Sequence, residues 1–306
     1  MILVSFLDWR SLRDDPYLIL ILYFFCLVGL FGLFFVSETR GVKGWYKIGP
    51  VSISPAEFTK IILIILLAKY FSMRHIELYR IRHIFLSGLY VLIPSLLIFF
   101  QPDLGQVLII VALWITILII SGIKIRHFLM ICLFSIFILI LAWQFILMDY
   151  QKARILSFIM PQLEPLGVGW SQAQAKIAIG SGGIFGKGIG QGSQTRYGFL
   201  PEPQTDFIFA AFAEETGLLG VSIMFILFSI LFWRIIKIAE ASQNNFTRLF
   251  ASGFSLLLAI QIFINIGMNL GLVPVIGISL PLVSYGGSGL ILMFLGFGIL
   301  QSIKTH

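Results

Sequence analysis

Charged residues are scarce in this 306-residue sequence, and their scarcity excludes most classes of soluble protein. Only 11% of the residues are Asp, Glu, Lys or Arg, whereas 58% are hydrophobic. Soluble domains average about 25% charged residues and about 45–50% apolar residues. A chain with so little charge would precipitate in water, so it is neither a soluble globular domain nor a disordered segment. Its mean hydropathy of +1.00 indicates a protein whose solvent is lipid.

Cysteine and clustered basic charge are also scarce. The two cysteines, Cys26 and Cys132, lie inside apolar runs, and we interpret them as small core residues rather than as a disulfide. The net charge of +7 is not gathered into a basic arm, so we expect no nucleic-acid partner. No cluster of His, Cys and Asp has the spacing of a metal site, and no GxSxG or HExxH motif is present.

Long apolar runs predict an all-α, polytopic membrane bundle of about eight transmembrane helices, formed as a single domain by residues 1–306. A membrane barrel is excluded, because its strands would read as short segments of alternating hydrophobicity. The predicted spans are residues 17–36, 56–72, 84–100, 106–121, 128–148, 206–233, 248–272 and 288–303.

The distribution of Lys and Arg predicts the orientation of these spans. Basic residues are more frequent in the short connections that face the cytoplasm when the N-terminus is inside, so we expect both termini to be cytoplasmic. The outer connections then contain most of the Gly and Pro, and residues 149–205 form a long extracytoplasmic loop. Since long ordered loops tend to be functional, we expect the chemistry on the outer face.

Ionisable residues inside predicted spans are candidate functional residues, because their burial in lipid is costly. Glu57 and Lys60, in SPAEFTK, have the i,i+3 spacing of an ion pair on one helical face, so their role is either structural or functional. Asp103, in QPDLG, is either the N-cap of the next helix or a functional carboxylate.

A third group of carboxylates lies at and within the sixth predicted span. Asp206 opens this span. A carboxylate at this position is also stabilised by the positive end of the helix dipole. Glu214 and Glu215 lie about 12 Å deeper, so we expect them to line a cavity or to pair with cations such as Lys60. The preceding glycine-rich run, GSGGIFGKGIGQGS, lacks the context of a nucleotide-binding motif, and we interpret it as a close-packed loop.

Four motifs in this order resemble the SEDS family, the shape, elongation, division and sporulation proteins typified by RodA and FtsW. They are GVKGWYKIGPVSISPAEFTK, QPDLGQ, the segment from AKIAIGSGG to PQTDFIFAAFAEETGLLG, and NIGMNLGLVPVIGISLPLVSYGGSG. The resemblance extends from about residue 41 to about residue 300. The chain departs from the family pattern at Gly44, where Arg is usual, and at Gln204, where His is usual. The family also has about ten spans, and the two that are missing here would precede Tyr17.

The resemblance implies a peptidoglycan glycosyltransferase that polymerises lipid II on the outer face of the bacterial cytoplasmic membrane. It implies a class B penicillin-binding protein and other elongation-complex membrane proteins as partners. The family's catalytic Asp, in its Thr-Asp-Phe motif, corresponds to Asp206. QPDLG and NIGM favour the RodA branch, which acts in cell elongation and shape maintenance.

Glycan polymerisation requires a base near the acceptor hydroxyl and a polar cradle for the pyrophosphate leaving group. We expect Asp206 to be the base and a divalent cation, Mg²⁺ or Mn²⁺, to be a candidate cofactor. The expected substrate-binding residues are Lys43, Trp45, Lys47, Glu57, Lys60, Asp103, Arg154, Arg196, Glu214, Glu215 and Ser284.

Two other functions are compatible with the same residues. A flippase for lipid-linked precursors would need polar residues through the full depth of the membrane, whereas here they are crowded in the outer half. A non-catalytic scaffold for a wall synthase would leave Asp206 dispensable.

Overall fold

The computed structural model describes residues 10–38, 42–49, 51–74, 81–160 and 168–305, and most of them are helical. A two-stranded antiparallel hairpin, β1 (Tyr46–Ile48) and β2 (Val51–Ile53), precedes the third helix. The helices are α1 (Arg10–Asp14), α2 (Pro16–Gly32), α3 (Pro55–Arg74), α4 (Ile81–Phe99), α5 (Leu104–Ile120), α6 (Ile125–Leu141), α7 (Asp149–Ile159), α8 (Val168–Gly182), α9 (Ser193–Arg196), α10 (Ile208–Ala241), α11 (Asn245–Leu270) and α12 (Gly287–Thr305).

Each of the eight predicted spans coincides with one of these helices, which confirms the helical membrane fold. Within the described ranges, six helical segments are long and apolar enough to cross a membrane, namely Tyr17–Phe35, Ile81–Phe99, Ile125–Phe145, Ile208–Ala241, Asn245–Leu270 and Gly287–Thr305. The predicted span 106–121 forms a shorter apolar helix, α5, of 17 residues. The predicted span 56–72 lies in α3, which also contains Glu57, Lys60, Lys69 and Arg74.

The chain divides into two compact units, and the expectation of a single domain stays a prediction. The first unit comprises residues 1–124, 231–260 and 286–306, and α3 lies at its centre, in contact with α2, α4, α5 and α12. Leu63, Ile64 and Phe71 of α3 are each fully buried. Because α3 is surrounded by other helices rather than by lipid, it tolerates polar residues that a lipid-facing span would exclude.

The second unit comprises residues 125–230 and 261–285. Its core is built largely from small side chains of α8 and α10, including Ala175, Ala178 and Ala210. Small residues allow membrane helices to approach closely, so the two backbones pack with little intervening side chain. This packing places the segment before α10 against the end of α8.

The predicted outer loop, residues 149–205, is more helical than expected, because it contains α7, α8 and α9. Helix α10, which follows it, is not regular throughout. Gly217 has φ 66° and ψ −166°, which interrupts the helix nine residues after its start at Ile208. This conformation is essentially restricted to glycine.

Candidate active site

A buried ion pair lies near the start of α3 in the first unit. The Lys60 ammonium donates to Glu57 Oε1 at 2.7 Å, and the Lys60 side chain is 0% exposed. Gln106 Nε2 donates to the same Glu57 oxygen at 3.1 Å, while the Gln106 backbone N–H donates to Asp103 Oδ1 at 3.2 Å. The predicted pairing of Glu57 with Lys60 and the capping of α5 by Asp103 are therefore both present.

The hairpin segment before α3 carries the other sequence-predicted residues of this unit. Lys43 donates its backbone N–H to Gln101 O at 3.3 Å and forms a long ion pair with Glu38 at 3.8 Å. Trp45 is half-buried and Lys47 is exposed on β1. Burial raises the pKa of Tyr46, whose hydroxyl donates to Gly29 O at 2.7 Å.

Gly44 is buried beside Asp103. A Cβ atom at position 44 would lie 3.9 Å from Asp103 Oδ2 and 3.5 Å from Val42. A side chain at this position would therefore begin next to the Asp103 carboxylate. The ammonium of the neighbouring Lys43 lies 3.8 Å from Glu38 Oε1.

Replacing Lys60 with Met is expected to lower the free energy of unfolding by about 3–5 kcal/mol, because it leaves the buried Glu57 carboxylate without its cation. Thermal unfolding in detergent would measure this loss. The double variant Lys60→Met with Glu57→Gln removes both charges and should recover most of the stability. If Lys60→Met unfolds at the wild-type temperature but loses glycan polymerisation, Lys60 acts on substrate rather than on the fold.

In the second unit, the segment that contains Asp206 is held through three consecutive backbone carbonyls. Tyr285 N–H donates to Gln204 O at 2.8 Å, and Ser284 Oγ donates to Thr205 O at 2.7 Å. The Asp206 carbonyl accepts from both Asn265 Nδ2 and Asn269 Nδ2, each at 3.0 Å. The backbone is thus fixed through its carbonyls from the loop before α12 and from the end of α11.

Asn265 and Asn269 were not among the sequence-predicted site residues, although they lie in the NIGMN motif. Both are fully buried. Asn269 Oδ1 accepts from Ala210 N at 3.2 Å, so one of the first N–H groups of α10 finds its acceptor on α11. Their i,i+4 spacing, which places two amides on one face of an apolar helix, was the signal in the sequence that could have identified them.

Gly277 lies against the Asp206 carboxylate. It has φ +71°, and a Cβ atom there would be 3.6 Å from Asp206 Oδ2. The backbone of Gly277 therefore borders the Asp206 carboxylate, and a side chain at position 277 would lie in contact with it.

Glu214 is fully buried in α10, and its cation is not Lys60, as the sequence analysis suggested, but Lys187. Lys187 Nζ donates to Glu214 Oε1 at 2.8 Å. The same oxygen accepts from Ser193 Oγ and from Gln194 N, both at 3.1 Å. Lys187 comes from the glycine-rich run, so this carboxylate anchors that run to α10.

The glycine-rich run packs directly onto the break in α10, as the interpretation of a close-packed loop predicted. Lys187 N and Gly188 N donate to the carbonyls of Glu214 and Glu215, each at 3.0 Å. On the other side of the break, Leu218 N donates to Gly183 O at 2.9 Å. At the interruption at Gly217, backbone groups that would form hydrogen bonds within a regular helix therefore bond to the glycine-rich run instead.

The remaining predicted residues of this unit are Arg154, Arg196 and Glu215, and of these Glu215 contributes its carbonyl to the bond from Gly188 N just described. Arg154 is exposed on α7, and Arg196 is exposed at the end of α9. Glu215 is half-buried. A substrate-binding role for these three residues stays a prediction.

The described residues offer few ligands to a divalent cation. No group of three or more His, Cys, Asp or Glu side chains that could hold a metal occurs in the described part of the chain. Mg²⁺ commonly uses one or two carboxylates together with substrate phosphates. A cation would therefore depend on the substrate for most of its ligands, and no step below is assigned to it.

Comparison with known proteins places this arrangement in a family. The family model described as "Cell cycle protein", FtsW/RodA/SpoVE, matches residues 1–306. The chain belongs to this family. The fold and the motifs agree with it, and the protein is therefore a multi-pass membrane protein of the SEDS type.

Individual relatives are similar over nearly the whole chain. "Peptidoglycan glycosyltransferase MrdB" of Escherichia coli strain K12 is 40% identical over 287 residues, which cover 93% of this chain and 77% of that protein. A solved chain from a peptidoglycan synthase complex has a TM-score of 0.83 and 32% identity, with 99% of this chain and 85% of that chain covered. RodA of Thermus thermophilus has a TM-score of 0.71 and 30% identity, with coverages of 99% and 82%.

Proposed function

We propose that this protein is a peptidoglycan glycosyltransferase that polymerises lipid II, with Asp206 as the general base. The observation that carries the proposal is the position of Asp206, whose backbone is held by Asn265 and Asn269 while Gly277 borders its carboxylate. Family membership and the relatives named as peptidoglycan glycosyltransferases support the same activity. The similarity to RodA of Thermus thermophilus supports a role in cell elongation.

In the proposed reaction, the 4-hydroxyl of the acceptor sugar attacks the anomeric carbon of the donor. The bond from that carbon to the lipid pyrophosphate breaks, and the pyrophosphate leaves with the bonding electrons. Asp206 takes the proton of the attacking hydroxyl, which increases its nucleophilicity. Cationic side chains then need only to stabilise the leaving group, for which Lys43, Lys47, Lys60, Arg154 and Arg196 are the candidates.

Polymerisation of fluorescently labelled lipid II by the purified protein tests the proposal directly. We expect glycan strands on a gel, and more of them when a class B penicillin-binding protein from the same organism is added. The structural similarity to a chain of a peptidoglycan synthase complex supports such a partner. A protein that binds lipid II but forms no strands in either condition would favour the scaffold or the flippase.

The orientation in the membrane is part of the same proposal, since lipid II is polymerised outside. A membrane-impermeant thiol reagent added to cells should label a cysteine placed near Ser193 and spare one placed near Gln243. Labelling only at Gln243 would place Asp206 on the cytoplasmic side and contradict the mechanism. The two native cysteines, Cys26 and Cys132, have free thiols that could also react. Both are first replaced by Ser, so that labelling reports only the introduced cysteine.

A further inference from the structure

Residues 183–192, the part of the glycine-rich run that follows α8, carry large apolar side chains that the protein leaves uncovered. Ile184 is 58% exposed, Phe185 is 80% exposed and Ile189 is 87% exposed. The one charged residue of this loop is Lys187, whose ammonium is turned inward and donates to Glu214 Oε1 at 2.8 Å. The exposed surface of loop 183–192 is therefore largely apolar, whereas loops in water are usually polar.

Hydrogen bonds hold loop 183–192 at one level of α10. Ile184 O accepts from Leu219 N at 3.1 Å, and Gly188 N donates to Glu215 O at 3.0 Å. These bonds join the loop to residues on both sides of the break at Gly217. The depth of Gly217 in the membrane therefore determines what surrounds the loop.

The length of α10 beyond the break sets that depth. The segment 218–233 is helical, contains no charged residue and is followed by Arg234. Arg234 lies at or beyond the far edge of the hydrocarbon layer, because a cation inside that layer is costly.

Leu218 precedes Arg234 by 16 residues. At about 1.5 Å per residue, these 16 residues span about 24 Å along the helix axis, and a tilt of the helix shortens their projection on the membrane normal. The hydrocarbon layer is about 30 Å thick. Leu218 and the break beside it thus lie within this layer, near its edge on the Asp206 side.

The bonding of loop 183–192 suits a position in the membrane. Non-helical backbone at membrane depth is tolerated only where the protein satisfies its polar groups. The carbonyls of Gly183 and Ile184 accept from α10, and the N–H groups of Lys187 and Gly188 donate to it. The Lys187 ammonium also has its counter-ion, as a charge at this depth requires.

The apolar surface of the loop continues onto the lipid-facing surface of α10. Leu218 and Leu219 are 60% and 50% exposed, and they donate their N–H groups to the carbonyls of Gly183 and Ile184. We propose that loop 183–192 is inserted into the bilayer leaflet on the Asp206 side, where its exposed isoleucine and phenylalanine side chains contact acyl chains. This part of the predicted outer loop is then re-entrant. The proposal depends neither on glycosyltransferase activity nor on which leaflet is the outer one.

Spin labels in nanodiscs of phosphatidylcholine test the depth of the loop. In the full chain with both native cysteines replaced by Ser, a nitroxide is attached at Ile189→Cys, Ile226→Cys or Gln243→Cys. Molecular oxygen concentrates in hydrocarbon and a neutral nickel chelate concentrates in water, so the ratio of their effects on nitroxide relaxation reports depth. Ile226, exposed in the middle of segment 218–233, is the lipid reference, and the exposed Gln243 between α10 and α11 is the water reference.

We expect the oxygen-to-nickel ratio of Ile189→Cys to be several-fold higher than that of Gln243→Cys and closer to that of Ile226→Cys. A ratio equal to that of Gln243→Cys would place the loop in water and overturn the proposal. A label at position 189 that is protected from both reagents would show that protein covers this side chain, and it would overturn the proposal as well.

Thermal unfolding of Ile189→Asp in the same nanodiscs is an independent test. A charge in hydrocarbon is costly, so this variant should unfold several degrees below its matched control, Ile189→Ala. In water, the two substitutions at an exposed position would differ little, and equal unfolding temperatures would contradict the proposal. If Ile189→Asp does not insert or fold, Ile189→Asn provides the same comparison with a neutral polar side chain. Neither measurement involves lipid II, so the result stands apart from the test of the proposed function.

Discussion

Replacing Asp206 with Asn is expected to reduce lipid II polymerisation by about two orders of magnitude or more, because a general base contributes about 10²–10⁴-fold. The fold should be unaffected. Asn has nearly the volume of Asp, and the bonds to the carbonyls of Gln204, Thr205 and Asp206, which hold the segment, do not depend on the side chain at position 206. The rate of glycan formation and the unfolding temperature of the same preparation would be measured together.

The matched control is Glu202→Gln, which removes a carboxylate from the same segment four residues earlier. Glu202 Oε2 accepts a long bond of 3.5 Å from Thr205 Oγ1, and the side-chain oxygen of glutamine can accept the same bond, so we expect activity within a few-fold of the wild type. If Asp206→Asn were as active as this control in well-folded protein, Asp206 would not be the base. Glu214 and Glu215 would then be the next carboxylates to test.

Replacing Gly217 with Ala is expected to lower the free energy of unfolding by about 3 kcal/mol or more. The conformation at φ 66° and ψ −166° is strained for any residue with a Cβ atom. The added methyl group would also collide with the backbone of Gly186 and Ile184, which cannot withdraw without breaking the bonds between loop and helix. Thermal unfolding in detergent and the yield of monodisperse protein would show the loss.

Gly180→Ala is the control within the same unit, because the same substitution is expected to stabilise the protein there. Gly180 lies inside α8, and a Cβ atom there would meet nothing within 4 Å. Alanine favours a helix over glycine by about 0.5–1 kcal/mol, so this variant should be slightly more stable than the wild type. Equal stability of the Gly180 and Gly217 variants would show that the break in α10 is not under steric constraint.

The sequence predicts the spanning helices well because a helix that crosses lipid requires a long apolar run, which is visible in the sequence. It predicts the pairing of Glu57 with Lys60 for a similar reason, since both residues lie on one turn of one helix. It does not predict the partner of Glu214, because Lys187 reaches that carboxylate from a loop 27 residues away. Nor does it predict that α10 is interrupted, because a single Gly in an apolar helix is compatible with regular structure.

In the candidate site, too, a local motif can be predicted from the sequence, whereas contacts between residues far apart in the chain cannot. The Thr-Asp-Phe motif identifies Asp206 by resemblance, whereas the support for its backbone depends on residues far along the chain. The sequence shows Asn265 and Asn269 only as two polar residues on one face of a membrane helix. The structure shows that both donate to the Asp206 carbonyl. The substrate-binding roles assigned to Arg154, Arg196 and Glu215 stay predictions.

The residues that support the Asp206 segment are synthesised later than Asp206 itself. Asn265 and Asn269, which hold the Asp206 carbonyl, follow it by 59 and 63 positions, and Ser284 follows Thr205, whose carbonyl it holds, by 79. The carbonyl of Gln204 is held by Tyr285. During synthesis and membrane insertion, Asp206 therefore leaves the ribosome well before its supports exist. A nascent chain that ends before Asn265 carries Asp206 but lacks the side chains that hold its carbonyl. The order of the sequence therefore delays the full support of Asp206 until α11 and the loop before α12 have been made.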